Sequence, residues 1–98
     1  MYMVTSLWKF GSAGQAREAV ARFREGLAPL LGRQAGLRHW HLAVTGADEA
    51  ITMAIWESRA AYEAAQPNLA AWGQQNLSDL DARVQFRRRG DVAAHAGQ

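Results

Sequence analysis

The sequence predicts one α+β domain: a four-stranded antiparallel sheet with two helical segments on one face. Three observations lead there. Apolar residues recur at three- and four-residue steps from Ala16 to Leu31, and more loosely from Leu69 to Leu80, the period of a helix with one buried side. Four short runs rich in Val, Ile, Trp, Tyr and Phe flank and separate those stripes, as strands do. Gly- and Pro-bearing breaks fall at the junctions. The order is β-α-β-β-α-β, that of a ferredoxin-like sandwich.

Tyr2 to Phe10 is the first strand, and Gly11-Ser12-Ala13-Gly14 ends it. The first helix follows from Gln15, with Ala16, Ala19, Val20, Phe23, Leu27, Leu30 and Leu31 on one stripe and Arg17, Glu18, Arg22 and Glu25 opposite. Pro29 lies inside the stripe and should bend the helix near Gly26 to Ala28. Gly32 to Gly36 is a loop. Leu37 to Thr45 and Ala50 to Glu57 are strands joined by the hairpin connection Gly46-Ala47-Asp48-Glu49. Matching Arg38 with Glu57 sets Thr45 opposite Ala50. That register puts Trp40, Leu42, Val44, Ile51, Met53 and Ile55 on one face, and His39, His41, Ala43, Thr52, Ala54 and Trp56 on the other.

Ser58 is an N-cap, its hydroxyl free to accept from a backbone N–H. Arg59 to Gln66 reads as a short helix that Pro67 restarts. Ala82 to Arg89 is the last strand, with Val84, Phe86 and Arg88 on one side. The domain is expected over residues 1–90, with a C-terminal tail over 91–98.

Composition narrows the class. Hydrophobic residues make up 49% and charged residues 20% of the 98 residues, the balance of a globular chain. There is no cysteine, which excludes disulfides and thiolate metal sites and fits a reducing, cytoplasmic setting. No apolar run reaches the ~20 residues that span a bilayer, and MYMVTSLWKF lacks the pattern of a secretion signal. The net charge of +2 is too small to point to nucleic acid. Arg87-Arg88-Arg89 alternates sides on a strand and reads as a solvated strand end, and Arg89-Gly90-Asp91 as a chance tripeptide. The first strand is apolar on both sides, with Tyr2, Val4, Trp8 and Phe10 against Met3 and Leu7. A sheet apolar on both faces needs a second cover, and the cover expected is another copy of the chain, a homodimer through sheet faces.

Several residues can carry chemistry. His39 and His41 stand i,i+2 on a strand, side by side at roughly 7 Å. They serve as a base in a cleft, as surface or dimer-interface side chains, or as metal ligands, though no third ligand is evident for them. Trp8, Trp40, Trp56 and Trp72 are core and interface aromatics, or walls of a pocket for an aromatic molecule in which Trp72 and Tyr62 supply the polar N–H and O–H. Asn76 offers an amide to a substrate carbonyl or solvates a helix face. No phosphate-binding glycine motif and no Ser-His-Asp arrangement occurs, so no cofactor is expected.

The length, the element order, the helix run QAREAVARFREGL, the Gly36-Leu37 opening of the second strand and above all AIWESRAAYEA carry a resemblance. With Trp56, Ser58 and Tyr62 in that last segment, the chain resembles the antibiotic-biosynthesis-monooxygenase-like proteins of the dimeric α/β-barrel superfamily. The resemblance implies a barrel dimer with a pocket between sheet and helices. It implies a cofactor-free oxygenase acting on an aromatic or quinol-like compound, with His39, His41 and Tyr62 as catalytic candidates and Trp56, Tyr62, Trp72 and Asn76 as substrate-binding ones. Haem-degrading members are also similar, but their catalytic Asn falls at Leu7, their ring-distorting Trp at Ala65 and their iron-binding His near Trp72 or Gln75, so that activity is not expected. The histidine many members carry after the aromatic helix is replaced here by Ala65 and Gln66. That loss favours the alternative, a non-catalytic ligand-binding or structural homodimer of the same fold.

Overall fold

The computed structural model describes residues 1–97 and has the expected element order. Strand β1 (Tyr2–Lys9) leads to helix α1 (Ala13–Arg22), a π-helical turn (Phe23–Leu27) and helix α2 (Ala28–Gly32). Strands β2 (Leu37–Gly46) and β3 (Glu49–Trp56) form a hairpin, followed by helix α3 (Arg59–Leu77), a 3₁₀ turn (Ser78–Leu80) and strand β4 (Arg83–Asp91). The sheet is antiparallel, in the order β2-β3-β1-β4. This is the ferredoxin-like α+β fold. No described helix is long and apolar enough to cross a membrane.

Helix boundaries follow from local chemistry. Ser12 caps α1 by accepting from Gln15 N–H at 3.1 Å, and Ser58 caps α3 by accepting from Ala61 N–H at 3.1 Å. The bend expected before Pro29 is the π-helical turn, in which Ala28 N–H reaches back to the Phe23 carbonyl. Pro29 has no N–H to give, and its ring crowds the carbonyl four residues earlier; a widened turn relieves both. Pro67 behaves otherwise. The helix does not restart there but runs unbroken from Arg59 to Leu77. Its two halves are anchored separately, by buried Tyr62 and Ala65 before the proline and buried Leu77 after it, and this packing outweighs one missing hydrogen bond.

The hairpin register differs from expectation by one residue. Leu42 faces Thr52 and Val44 faces Ala50, not Thr45. The pairing slips at both ends of β2, between Leu37 and His39 and between Val44 and Gly46. Thr45 Oγ1 bonds Glu49 Oε2 at 2.7 Å across the turn. Arg38 and Glu57 do approach, at 3.8 Å, but Arg38 sits in the slipped segment, so their pairing does not report the register beyond it. Because side chains alternate, one residue of slip exchanges the two faces of a strand against its partner. Trp40 and Leu42 therefore share a face with Thr52, Ala54 and Trp56, while His39, His41 and Ala43 share the opposite face with Ile51, Met53 and Ile55. A further slip between Leu7 and Trp8 against β4 separates Val84, opposite Trp8, from Phe86, opposite Leu7. Strand β4 also continues past its expected end, so that Gly90 and Asp91 pair with Met3 and Tyr2.

The core lies between the helices and one face of the sheet. It joins Tyr2, Val4, Phe10, Ala50 and Trp56 to Ala16, Ala19, Phe23, Leu27, Leu31, Tyr62, Ala65, Leu77 and Leu80. On the other face Met3, Leu7, Ile51, Met53, Ile55 and Phe86 are not buried by any element of the chain.

Two points outside the core hold the helices. Gly36 opens β2 at φ +85°, and a Cβ there would lie 2.6 Å from the Ala61 Cβ. Gly36→Ala is expected to lose about 2 kcal/mol of stability from the left-handed backbone alone, read by urea denaturation. Arg22, at the end of α1, donates to the Asn76 carbonyl at 2.6 Å and to Asp79 Oδ1 at 2.7 Å, tying the end of α3 to the first helix. That hydrogen bond holds the Asp79 carboxyl below its usual value of 3.8, and partial desolvation opposes it less strongly. A lowered folded-state value means stability that is present above the unfolded-state value and lost as pH falls through the folded one. Asp79→Asn should therefore lower the melting temperature at pH 7, with the gap to the parent closing below about pH 4; a gap that persists in acid would assign the effect to shape rather than charge.

Candidate functional site

Sheet rows on the helix-facing side set the floor of the site. Leu42, Thr52, Ser6 and Arg87 form one row across all four strands, and Trp40, Ala54, Val4 and Arg89 form the next. The middle of this floor is small: Ser6, Thr52, Ala54 and Val4. Large side chains ring it. Trp8, Phe23, Trp40 and Trp72 gather at one end, and Trp56 and Tyr62 at the other. Small floor and large rim leave a cavity of about 390 Å³ beneath α3. That lies in the lower part of the ~300–1,000 Å³ range of small-molecule sites.

The aromatic wall is ordered by ring contacts. Phe23 meets Trp8 edge-on at 5.4 Å and Trp72 nearly parallel at 5.7 Å, with Trp40 tilted at 6.5 Å. Trp56 and Tyr62 meet edge-to-face at 5.9 Å. These rings are held by one another, which gives the pocket a defined shape before anything binds.

Polar groups concentrate in the Thr52–Ser6–Arg87 row. Trp8 Nε1–H donates to Thr52 Oγ1 at 3.0 Å, and Arg87 Nε–H donates to Ser6 Oγ at 2.8 Å. Ser6 and Thr52 are the buried polar side chains of the domain. With Nε committed to Ser6, the guanidinium of Arg87 keeps its terminal N–H groups for a ligand. Arg89 lies over the Tyr62 ring at 5.9 Å. No carboxylate or imidazole lines the cavity among the described residues. Its electrostatic character is that of one cation at the edge of an apolar chamber, suited to a flat molecule with an anionic oxygen. The Trp56 indole N–H is shut off from solvent in the wall and has no hydrogen-bond partner. Such a group costs about 1–3 kcal/mol.

The candidates named from the sequence divide. Trp56, Tyr62 and Trp72 all line the cavity. Asn76 does not; its amide donates to the Trp72 carbonyl at 2.8 Å, inside its own helix. His39 and His41 stand parallel at 6.4 Å, exposed on the opposite face of the sheet, where the one-residue difference in register puts them. No His, Asp or Glu side chains gather in threes among the described residues. Ser6, Thr52 and Arg87 were not singled out from sequence. The available signal was polar residues on the buried side of otherwise apolar strands, and it needed the correct register to be read.

No family model and no curated relative matches the sequence. Solved structures do match. HapK from Hahella chejuensis has a TM-score of 0.84 at 12% identity, covering 100% of this chain and 99% of its own. SnoaB from Streptomyces nogalater, a cofactor-independent oxygenase, has a TM-score of 0.73 at 15% identity, covering 99% and 97%. A dimeric ferredoxin-like protein from an uncultured marine organism has a TM-score of 0.79 at 15% identity, covering both chains fully. The chain shares the ferredoxin-like fold of these proteins, the fold that the resemblance carried by Trp56, Ser58 and Tyr62 implied.

Proposed function

We propose that the protein binds a flat, electron-rich phenol or quinol in the cavity and oxidises it with dioxygen, without metal or flavin. The observation that carries this reading is Arg87, the one cationic side chain lining the cavity among the described residues, in a wall that is mostly aromatic and aliphatic with Gln66, Gln74 and Ser78 as further polar members. The fold shared with a cofactor-independent oxygenase supports it. In the proposed reaction Arg87 stabilises the phenolate, whose proton leaves to solvent. The anion gives an electron to dioxygen, and the radical pair joins at the para carbon. Tyr62 returns a proton to the peroxide, which loses water to leave a carbonyl. A phenol and one dioxygen become one quinone and one water. The chamber supplies orientation and keeps water from the reacting carbon.

A second reading is favoured by the lack of any lining carboxylate or imidazole: a binding protein with no chemistry of its own. Oxygen-electrode assays with 1,5-dihydroxynaphthalene, which has a free carbon para to each hydroxyl, separate the two. Protein-dependent oxygen uptake, with one labelled oxygen atom from dioxygen in the quinone, is expected. Saturable quenching of Trp fluorescence without uptake would establish the binding reading instead. Arg87→Leu should weaken binding of the naphtholate roughly 10- to 100-fold, the loss of a hydrogen bond to a charged group. Its affinity for the methyl ether should be unchanged.

The second sheet face belongs to the same proposal. Leu7 lies between Ile51 and Phe86 across the strands, with Met3, Met53 and Ile55 around them. A second copy would cover this face, and a matching fold is described as dimeric. His39 and His41 then sit at or beside the interface. Sedimentation velocity is expected to show a dimer, and Ile51→Arg a monomer.

A further inference from the structure

Gly26 lies in the π-helical turn, half-buried, with its α-carbon turned toward the Trp72 indole. A Cβ built there would stand 2.9 Å from Trp72 Nε1 and 3.2 Å from Cζ2. The first is shorter than real side chains show and the second tighter than most, so the indole, stacked on Phe23 at 5.7 Å, would have to shift to admit a side chain. Glycine is among the poorer residues for a helical segment, so its presence here needs a reason. The reason on view is space: Gly26 lets the Nε1–Cζ2 edge of the indole come up against the turn. Gly26 does not line the cavity itself, while Trp72 does.

We infer that Gly26 is a specificity-determining residue, acting through Trp72 to set how large a fused-ring ligand the cavity accepts. Any side chain at position 26 forces the indole away from the turn and toward the sheet. The chamber then shortens at the Phe23 end, and its polar row is left untouched. A ligand of one or two rings anchored at Arg87 still fits, and a larger fused system does not. This inference rests on the cavity being the ligand site.

The test compares naphthol with alizarin, a larger fused-ring phenol, by Trp fluorescence quenching in the parent, in Gly26→Ala, and in Gly26→Ala combined with Trp72→Phe. The parent is expected to bind both probes. Gly26→Ala should lose alizarin by at least tenfold and keep naphthol within about twofold. The double variant, with a smaller ring at position 72, should regain alizarin, which a merely misfolded protein would not do. A loss relative to the parent that is equal for both probes, an unchanged or higher affinity for alizarin in Gly26→Ala, or no recovery in the double variant would overturn the inference. A parent that binds neither probe would instead refute the cavity as an aromatic site.

Discussion

The pairing of β2 against β3 is the constraint on which the site depends. Leu42 opposite Thr52 puts Trp40 and Leu42 above the same floor as Ser6, Thr52 and Ala54. Moved by one residue, β2 would offer His39, His41 and Ala43 to the helices and turn its indole outward. The chamber would lose a wall and gain two imidazoles, becoming a different kind of site from the same residues. What holds the pairing is unequal burial. Trp40 and Leu42 are half-buried on the helix side while His39, His41 and Ala43 are exposed on the other, so a shift that turns Trp40 outward loses apolar burial at about 25 cal/mol per Å². The slipped segments at Arg38 and Thr45 let the strand ends meet the turn and the loop without disturbing the middle.

Given that register, the cavity is a consequence of side-chain size. A helix packed on a sheet normally meets large aliphatic residues and closes the gap, since interiors pack to crystal density. Here the floor under α3 is Val4, Ser6, Thr52 and Ala54, and the surface of α3 that meets it includes Ala70 and Gly73. The large residues are displaced to the rim, where they brace one another through Phe23. The domain therefore keeps its helices apart from the sheet with aromatic posts, and the Arg22 link to Asn76 and Asp79 ties the far end of α3 to α1.

Much of this was legible in the sequence, for identifiable reasons. Ser58 stands before a helical stripe, and a cap is a local event decided within four residues. The bend before Pro29 follows from the missing N–H of one residue. The register was not legible, because Arg38 and Glu57 do approach one another while lying in a slipped segment. An ion pair between long, exposed side chains tolerates a one-residue offset that a strand's alternation does not. Trp56, Tyr62 and Trp72 could be placed at a pocket because large aromatics around a strand-to-helix junction end up inside it. Arg87 could not, since three consecutive arginines on an edge strand look the same whichever of them turns inward. The continuity of α3 through Pro67 was hidden for a related reason: it rests on packing at both ends of the helix, which no local pattern reports.

The departures from ideal structure are not scattered. The π-helical turn carries Phe23 and the glycine beneath Trp72. The proline inside α3 falls between Gln66 and Leu69, both in the cavity wall. The buried indole N–H without a partner belongs to Trp56, in the same wall. Each costs stability. Natural sequences tend to break local rules where a site needs it and to keep them elsewhere. In this chain the broken rules encircle one chamber. The opposite face of the sheet, however apolar, is the open surface of the same strands. Those strands suit a contact that needs only area, whereas the chamber has the irregular, shaped and partly unsatisfied interior that the proposed small-molecule site would use.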